Sequence, residues 1–222
     1  MISEASNDIA AVEDALRRAA ARGRSSAGAD AARRAAAQAS TRLGQHIADE
    51  GLADVSYASA DSPFGRLLLA ATRRGLVRVA FPEEDEDAML ESLAQRVSPR
   101  IVEASSAMEP IRRELDEYFS GRRREFALPL DWRLVGPFGR RVLGVTAEIP
   151  YGGVMSYAEV AADAGSPRAH RAAGNALGAN PMPIVIPCHR VVRSGGAIGN
   201  YGGGPERKRW LLELEGAIAP QR

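Results

Sequence analysis

Apolar positions change period twice along this chain. Up to about residue 50 the sequence is dominated by Ala and Arg, with few large apolar side chains to anchor it. Ile9, Val12 and Leu16 share one face of a helix following Asn7 or Asp8, a second helix follows Asp30, and residues 22–28 read as the linker between them. Ala-rich sequence favours helix but supplies little to bury, so residues 1–51 are expected to form a loosely docked or mobile extension. A basic arm touching nucleic acid is the sharper alternative.

Ordered structure is expected from Val55. Residues 65–71 and 76–81 are strand-like runs, and Thr72-Arg73-Arg74-Gly75 between them reads as a hairpin loop. Pro82 closes the sheet edge. Acidic residues 83–87 precede Met89, Leu90, Leu93 and Val97, which places negative charge at the start of a helix with an apolar face. A further helix over about 107–119 ends at Gly121, and a short strand is expected at 126–130. Residues 52–133 thus read as a small α+β domain without a catalytic cluster, a scaffold.

After Trp132 the period becomes helical. One helix is predicted from Pro137 to Ile149, Tyr151-Gly152-Gly153 turns the chain, and Ser156-Tyr157-Ala158-Glu159 is a capping box opening a second helix that Gly165 ends. Ser166-Pro167 then supplies a cap and first-turn proline for a third helix, 168–177. Two short helices about a Gly-containing turn make a helix-turn-helix pattern within residues 134–222.

Composition narrows the class. With 222 residues and 45% hydrophobic content the chain can bury a core, and no window approaches the roughly 18 apolar residues of a membrane span. The start, Met1-Ile2-Ser3-Glu4, lacks a secretory leader's basic region and apolar core, and a single cysteine suits a reducing compartment, so a cytoplasmic location is expected. Net charge is only +1, yet from Arg133 onward 11 Arg or Lys stand against 6 Asp or Glu. That makes the C-terminal part about +5 and the rest about −4, which suits an anionic partner for the basic half.

The one cysteine, Cys188, lies in Pro187-Cys188-His189-Arg190-Val191. A lone thiol forms no internal disulfide and is either core filler or a reactive group. Three prolines in residues 180–188 make that segment a rigid, buried, extended wall. In an extended segment neighbouring side chains diverge, so His189 as a base works through a water, oriented by a third group such as Glu213 or Glu215. Arg171, at the start of the small-residue helix, suits the space of an extruded base; close helix packing is the plainer reading of those small residues. The glycine-rich stretch 195–204 lacks the Lys-Ser or Lys-Thr of a nucleotide loop and reads as a substrate cover. One Cys and three scattered His residues show no metal-ligand spacing. A cysteine hydrolase is a competing reading, opposed by the adjacency of Cys188 and His189.

Taken together, Ile186-Pro187-Cys188-His189-Arg190-Val191, the spacing to Gly199-Asn200-Tyr201, and Lys208-Arg209-Trp210-Leu211-Leu212 through Glu215-Gly216 resemble the O6-alkylguanine-DNA alkyltransferases, the methylated-DNA-protein-cysteine methyltransferases. The resemblance spans about 55–216. It implies an RNase H-like N-terminal domain and a helical domain whose winged-helix-like helix-turn-helix enters the minor groove of duplex DNA. By the same resemblance, Cys188 is the alkyl acceptor, His189 the water-linked base, Glu215 rather than Glu213 its orienting carboxylate, and Asn180 a structural asparagine. Tyr157 contacts the base or its phosphate, Arg171 is the arginine finger, and the carbonyls of Cys188 and Val191 read the guanine amino group. The loop with Tyr201, Gly202 and Gly203 covers the base, and Lys208 lies near the pocket. The implied activity is direct-reversal DNA repair: irreversible, single-turnover transfer of a methyl or larger alkyl group from O6 of guanine after base flipping. O4 of thymine is left open as a second site. No cofactor or metal is implied, and the chain is expected to act as a monomer. Gly202 stands where some relatives carry a small hydroxyl residue, and the cysteines of a structural zinc or of a phosphotriester-sensing domain are missing. A non-transferring lesion-binding relative would lack Cys188.

Overall fold

The computed structural model describes residues 26–219. Its first element is helix α1 (Ser26–Asp49), followed by β1 (Val55–Ala60), β2 (Leu67–Thr72) and β3 (Gly75–Ala80). Helix α2 (Glu86–Arg96) leads to β4 (Ile101–Glu103), and α3 (Glu109–Phe119) follows a short 3-10 turn, Ser106–Met108. The expected helix at residues 9–16 lies outside the described residues.

The sheet order is β3-β2-β1-β4, with β1 antiparallel to β2, β2 antiparallel to β3, and β1 parallel to β4. Both faces are covered, which explains why these strands do not alternate cleanly between apolar and polar. On one face Val55, Ala70, Val77 and Ala80 pack with Met89 and Leu93 of α2. On the other, Leu67, Leu69, Leu76 and Val79 meet Ile111, Leu115 and Tyr118 of α3 and run without a break into the C-terminal core. Asp85 caps α2, its side chain accepting from the Ala88 amide at 2.8 Å, as the acidic cluster predicts.

Three expectations need correction here. Helix α1 starts at Ser26, so residues 26–28 are helix rather than linker, and Asp30 lies inside it. Its C-terminal turns sit on β4 and the turn after it: a Cβ at Gly44 would come 2.3 Å from the Glu103 carbonyl, and the Ser106 amide donates to Gln45 Oε1 at 3.2 Å. The helix therefore closes on the sheet edge through its last turns, while residues 30–42 stay mostly exposed. No strand forms at 126–130; only Leu130 bridges to Leu76. That stretch runs along the outer edge of β3, where the Leu76 amide donates to Pro129 O and the Asp131 amide to Leu76 O. Gly75 permits the approach, with φ +127° and no room for a Cβ, which would lie 2.0 Å from the Pro129 carbonyl.

The C-terminal part comprises α4 (Pro137–Ala147), β5 (Met155–Ser156), α5 (Tyr157–Asp163), α6 (His170–Gly178), β6 (Val191–Val192) and α7 (Pro205–Leu214). Ser156 and Glu159 form the predicted capping box. Ser166 does not cap α6: residues 166–169 form a separate turn, closed by the Ala169 amide on Ser166 O, so the helix starts at His170 and Arg168 precedes it. Strands β5 and β6 pair in parallel beside the α5–α6 helix-turn-helix. The Val79 amide donates to Pro181 O at 2.8 Å, which hangs the cysteine-bearing segment on β3. No helix of the described residues is long and apolar enough to cross a membrane.

Candidate active site around Cys188

The segment from Asn180 to Cys188 is buried, as expected, but it is not extended. Pro183 bridges to Ile186, the Ile186 amide donates to Met182 O at 2.9 Å, and Ile184 has φ +74°, the one positive φ of a non-glycine residue among the described residues. A β-branched residue in that region is strained and persists because its surroundings hold it there. Asn180 does much of the holding. Its Oδ1 accepts from the Met182 amide at 3.0 Å, and its Nδ2 donates to Ile186 O at 3.0 Å and to Cys188 Sγ at 3.1 Å. One amide thus shapes the turn and supplies a hydrogen bond to the sulfur.

Cys188–Arg190 form a 3-10 turn. Divergence of Cys188 from His189 therefore follows from a helical turn rather than from strand alternation. His189 is fully buried, and its Nε2 lies 3.0 Å from Glu215 Oε1. Burial raises the Glu215 carboxyl, but hydrogen bonds from His189 and Arg190 outweigh it and hold the pKa at about 2. An ionised carboxylate only accepts, so Nε2 carries the proton and Nδ1 has the lone pair. That Nδ1 is buried without a hydrogen-bond partner, and burial pushes the imidazole below its ordinary range, keeping it neutral. The thiol is pushed up to about 11 by burial, partly offset by the Asn180 bond and by Lys208. It is a protonated sulfur beside an unprotonated base.

Glu215 is saturated. Besides His189 it accepts from Arg190 Nε at 2.9 Å and Nη2 at 2.8 Å, and from Tyr118 Oη at 2.6 Å. Tyr118 comes from α3, so the N-terminal domain supplies a supporting side chain to the site. Burial and the adjacent carboxylate push the Tyr118 hydroxyl well up, so it remains a donor. Arg190 and Tyr118 are both missed by sequence reasoning. Arg190 stands two residues from Cys188 in the quoted motif, and Tyr118 shares an i, i+4, i+7 face with Ile111 and Leu115, which marks it as buried but not against what.

The remaining expected residues gather around the same point. Tyr157, at the start of α5, donates to Asn200 O at 3.2 Å, and Gly174 of α6 faces its ring. Lys208 is buried and donates to the carbonyls of Val191 and Asn200. Burial lowers its pKa to about 8. The Val191 carbonyl thus accepts from Lys208, and the Cys188 carbonyl accepts from the Val191 amide. Tyr201 and Gly202 line the cavities at Cys188, whereas Gly203 packs on Phe81. Arg171 is exposed on the second residue of α6, beside a groove of about 400 Å³ that it shares with Tyr157, Arg193 and Asn200. Glu213 lies apart, near Arg209.

Fold and site define a two-domain protein that holds a buried thiol, next in sequence to a buried His–Glu pair, behind a helix-turn-helix. Residues 55–132 match the ribonuclease-like domain, and residues 137–217 the DNA-binding domain, of the 6-O-methylguanine DNA methyltransferase family. A methylated-DNA–protein-cysteine methyltransferase of Mycobacterium tuberculosis is 39% identical over 166 residues, covering 75% of this chain and 95% of that protein. The constitutive Bacillus subtilis enzyme of the same name is 36% identical over 163 residues, 72% of this chain and 94% of that protein. The crystal structure of Mycobacterium tuberculosis O6-methylguanine methyltransferase superposes with a TM-score of 0.64 at 38% identity, covering 76% of this chain and 96% of that one. Mycobacterium tuberculosis OGT in complex with DNA gives 0.63 at 38%, covering 72% and 92%. The chain belongs to the methylated-DNA–protein-cysteine methyltransferase family.

Proposed function

We propose that this chain repairs DNA by direct reversal, moving a methyl or larger alkyl group from O6 of guanine onto Cys188 once per molecule. The observation that carries this reading is the array at the thiol: Asn180 donates to Sγ, and His189, fixed by Glu215, presents an unprotonated, unpartnered Nδ1 in the same buried site.

The chemistry follows from those protonation states. The Cys188 proton passes through a water to His189 Nδ1, and the sulfur, held by Asn180, attacks the alkyl carbon. A C–S bond forms as the C–O6 bond breaks; its electron pair leaves on the purine, which takes up one proton, balanced by the one His189 received from the thiol and returns to the water. The product is a thioether, which water does not readily hydrolyse, so the acceptor is consumed. Duplex DNA is the partner in this reading, with α6 in the minor groove and Arg171 filling the space of the flipped nucleotide. Tyr157 contacts the turned-out base or its phosphate. The Cys188 and Val191 carbonyls face the guanine amino group, the latter oriented by Lys208, and the Tyr201–Gly203 loop covers the base. The chain acts as a monomer in the cytoplasm and needs no cofactor.

Duplex DNA carrying labelled O6-methylguanine tests the reading. Label should move to the wild-type protein, while Cys188→Ala should bind the DNA and take none. Absence of transfer to intact, reduced protein overturns it.

A further inference from the structure

Two cavities meet at Cys188. One, of about 400 Å³, opens beside Tyr157, Gly174 and Asn175 on the helix-turn-helix side. The other, of about 540 Å³, runs to the N-terminal domain, where Arg78, Phe81 and Glu83 line it together with Arg207 of α7. In the alkyl-transfer reading, a base arriving from α6 enters the first and directs its O6 group at the sulfur. Whatever the substituent carries beyond the reacting carbon continues into the second.

The N-terminal domain shapes that second space. Phe81, at the end of β3, is 6% exposed and meets the Tyr201 ring edge-on at 6.0 Å. A Cβ at Gly203 would lie 2.7 Å from the Phe81 ring, so the covering loop rests directly on this side chain. Arg207 clamps the contact. Its guanidinium lies 4.8 Å above the Phe81 ring and 5.8 Å above Phe64, pairs with Glu83, and donates to Gly203 O at 2.9 Å. One arginine thereby ties the loop to the N-terminal domain. The other charges on this wall, Arg78 and Glu84, pair with each other, which leaves an aromatic floor between two internally neutralised ion pairs. Such a lining suits an uncharged alkyl or arylmethyl group and offers no unpaired cation for an anionic one.

We propose that the O6 substituent is read in this interdomain cavity, and that Phe81, held by the Arg207–Glu83 clamp, sets the largest neutral substituent the chain accepts. This rests on the alkyl-transfer reading above. The test compares single-turnover transfer from O6-benzylguanine and O6-methylguanine in one duplex, using the full chain, Phe81→Val and Glu83→Gln. Removing ring volume from the floor should raise the benzyl-to-methyl rate ratio roughly tenfold in Phe81→Val, the scale of a change in pocket size. Glu83→Gln frees Arg207 and should move the ratio the same way by a smaller factor. Glu83 is a surface carboxylate, so this variant decides the matter if Phe81→Val does not fold. Ratios unchanged within about twofold in the folded variants, with methyl transfer intact, overturn the cavity assignment alone. Failure of the parent chain to accept methyl overturns the alkyl-transfer reading with it.

Discussion

Tyr118 donates its hydroxyl to Glu215 at 2.6 Å across the boundary between the two domains. The carboxylate that orients His189 is thus held in part by a residue 97 positions earlier, on a helix of the N-terminal unit. Folding of one domain and the placement of the other's His189 are physically linked through that bond.

Tyr118→Phe isolates the link. It keeps the ring packing against Phe126 and Tyr151 and removes one donor from a carboxylate that retains His189 and Arg190. A hydrogen bond to a charged group is worth about 1.5–3 kcal/mol, so thermal unfolding should report a loss in that range. Single-turnover transfer should slow as well, since His189 is held less firmly; an unchanged rate would show that the bond serves the fold alone.

Asn180→Ala removes both the clasp on the 180–188 turn and the hydrogen bond to Sγ. Loss of a preorganised donor to developing charge costs on the order of a hundredfold in rate, and rapid-quench transfer measurements should find a drop of that size. DNA affinity by anisotropy should be retained, because α6 and Arg171 are untouched.

The pH dependence separates base-assisted attack from attack by free thiolate. Burial places His189 below its ordinary pKa and the thiol up at about 11. The reactive pair, thiol and neutral imidazole, stays fully populated between neutrality and about pH 9, so the wild-type rate in that window should change only as Lys208 loses its proton near 8. His189→Gln should react only through free thiolate, its rate climbing about tenfold per pH unit toward 11. A flat profile in that variant would remove His189 from the proton path.

Acid stability follows from the same pair. The depressed Glu215 pKa, about 2, contributes stability that is present above the ordinary carboxylate value and lost as pH falls toward 2. Conversion of that shift gives about 3 kcal/mol. His189, kept neutral by burial, opposes protonation and adds a loss that starts below its ordinary value of 6.5. Melting temperature against pH should decline in both windows for the wild type. In Glu215→Gln the decline in the lower window should be smaller, from an already reduced baseline, with the remainder due to other paired carboxylates such as Asp54.

Much of this organisation is legible in the residues themselves. The hairpin at residues 72–75, the capping box at Ser156 and the acidic start of α2 are local devices, and the structure contains each one. The chemical motif is local too, because Cys188, His189 and Asn180 lie within ten positions. What escapes the sequence is set by tertiary approach. Residues 180–188 read as extended because prolines block helix and sheet, yet Asn180 folds them into a turn with Ile184 in the left-handed region. The stretch 126–130 has a strand's composition, but it reaches the edge of β3 at only one bridge. Helix α1 has too little apolar surface to announce a docking site, and Gly44 against Glu103 shows why a small residue suffices there. Tyr118 and Phe81 are apolar-face residues of ordinary elements, and only the packing of the two domains turns them toward the thiol.

Mass spectrometry of the intact protein after incubation with excess duplex DNA carrying O6-methylguanine, followed by peptide mapping, tests the central claim most directly. The account predicts a gain of one methyl group per chain, located on Cys188, with no further turnover and no gain in Cys188→Ala. Unmodified protein, a methyl group on any other residue, or repair of more than one equivalent of DNA would contradict it.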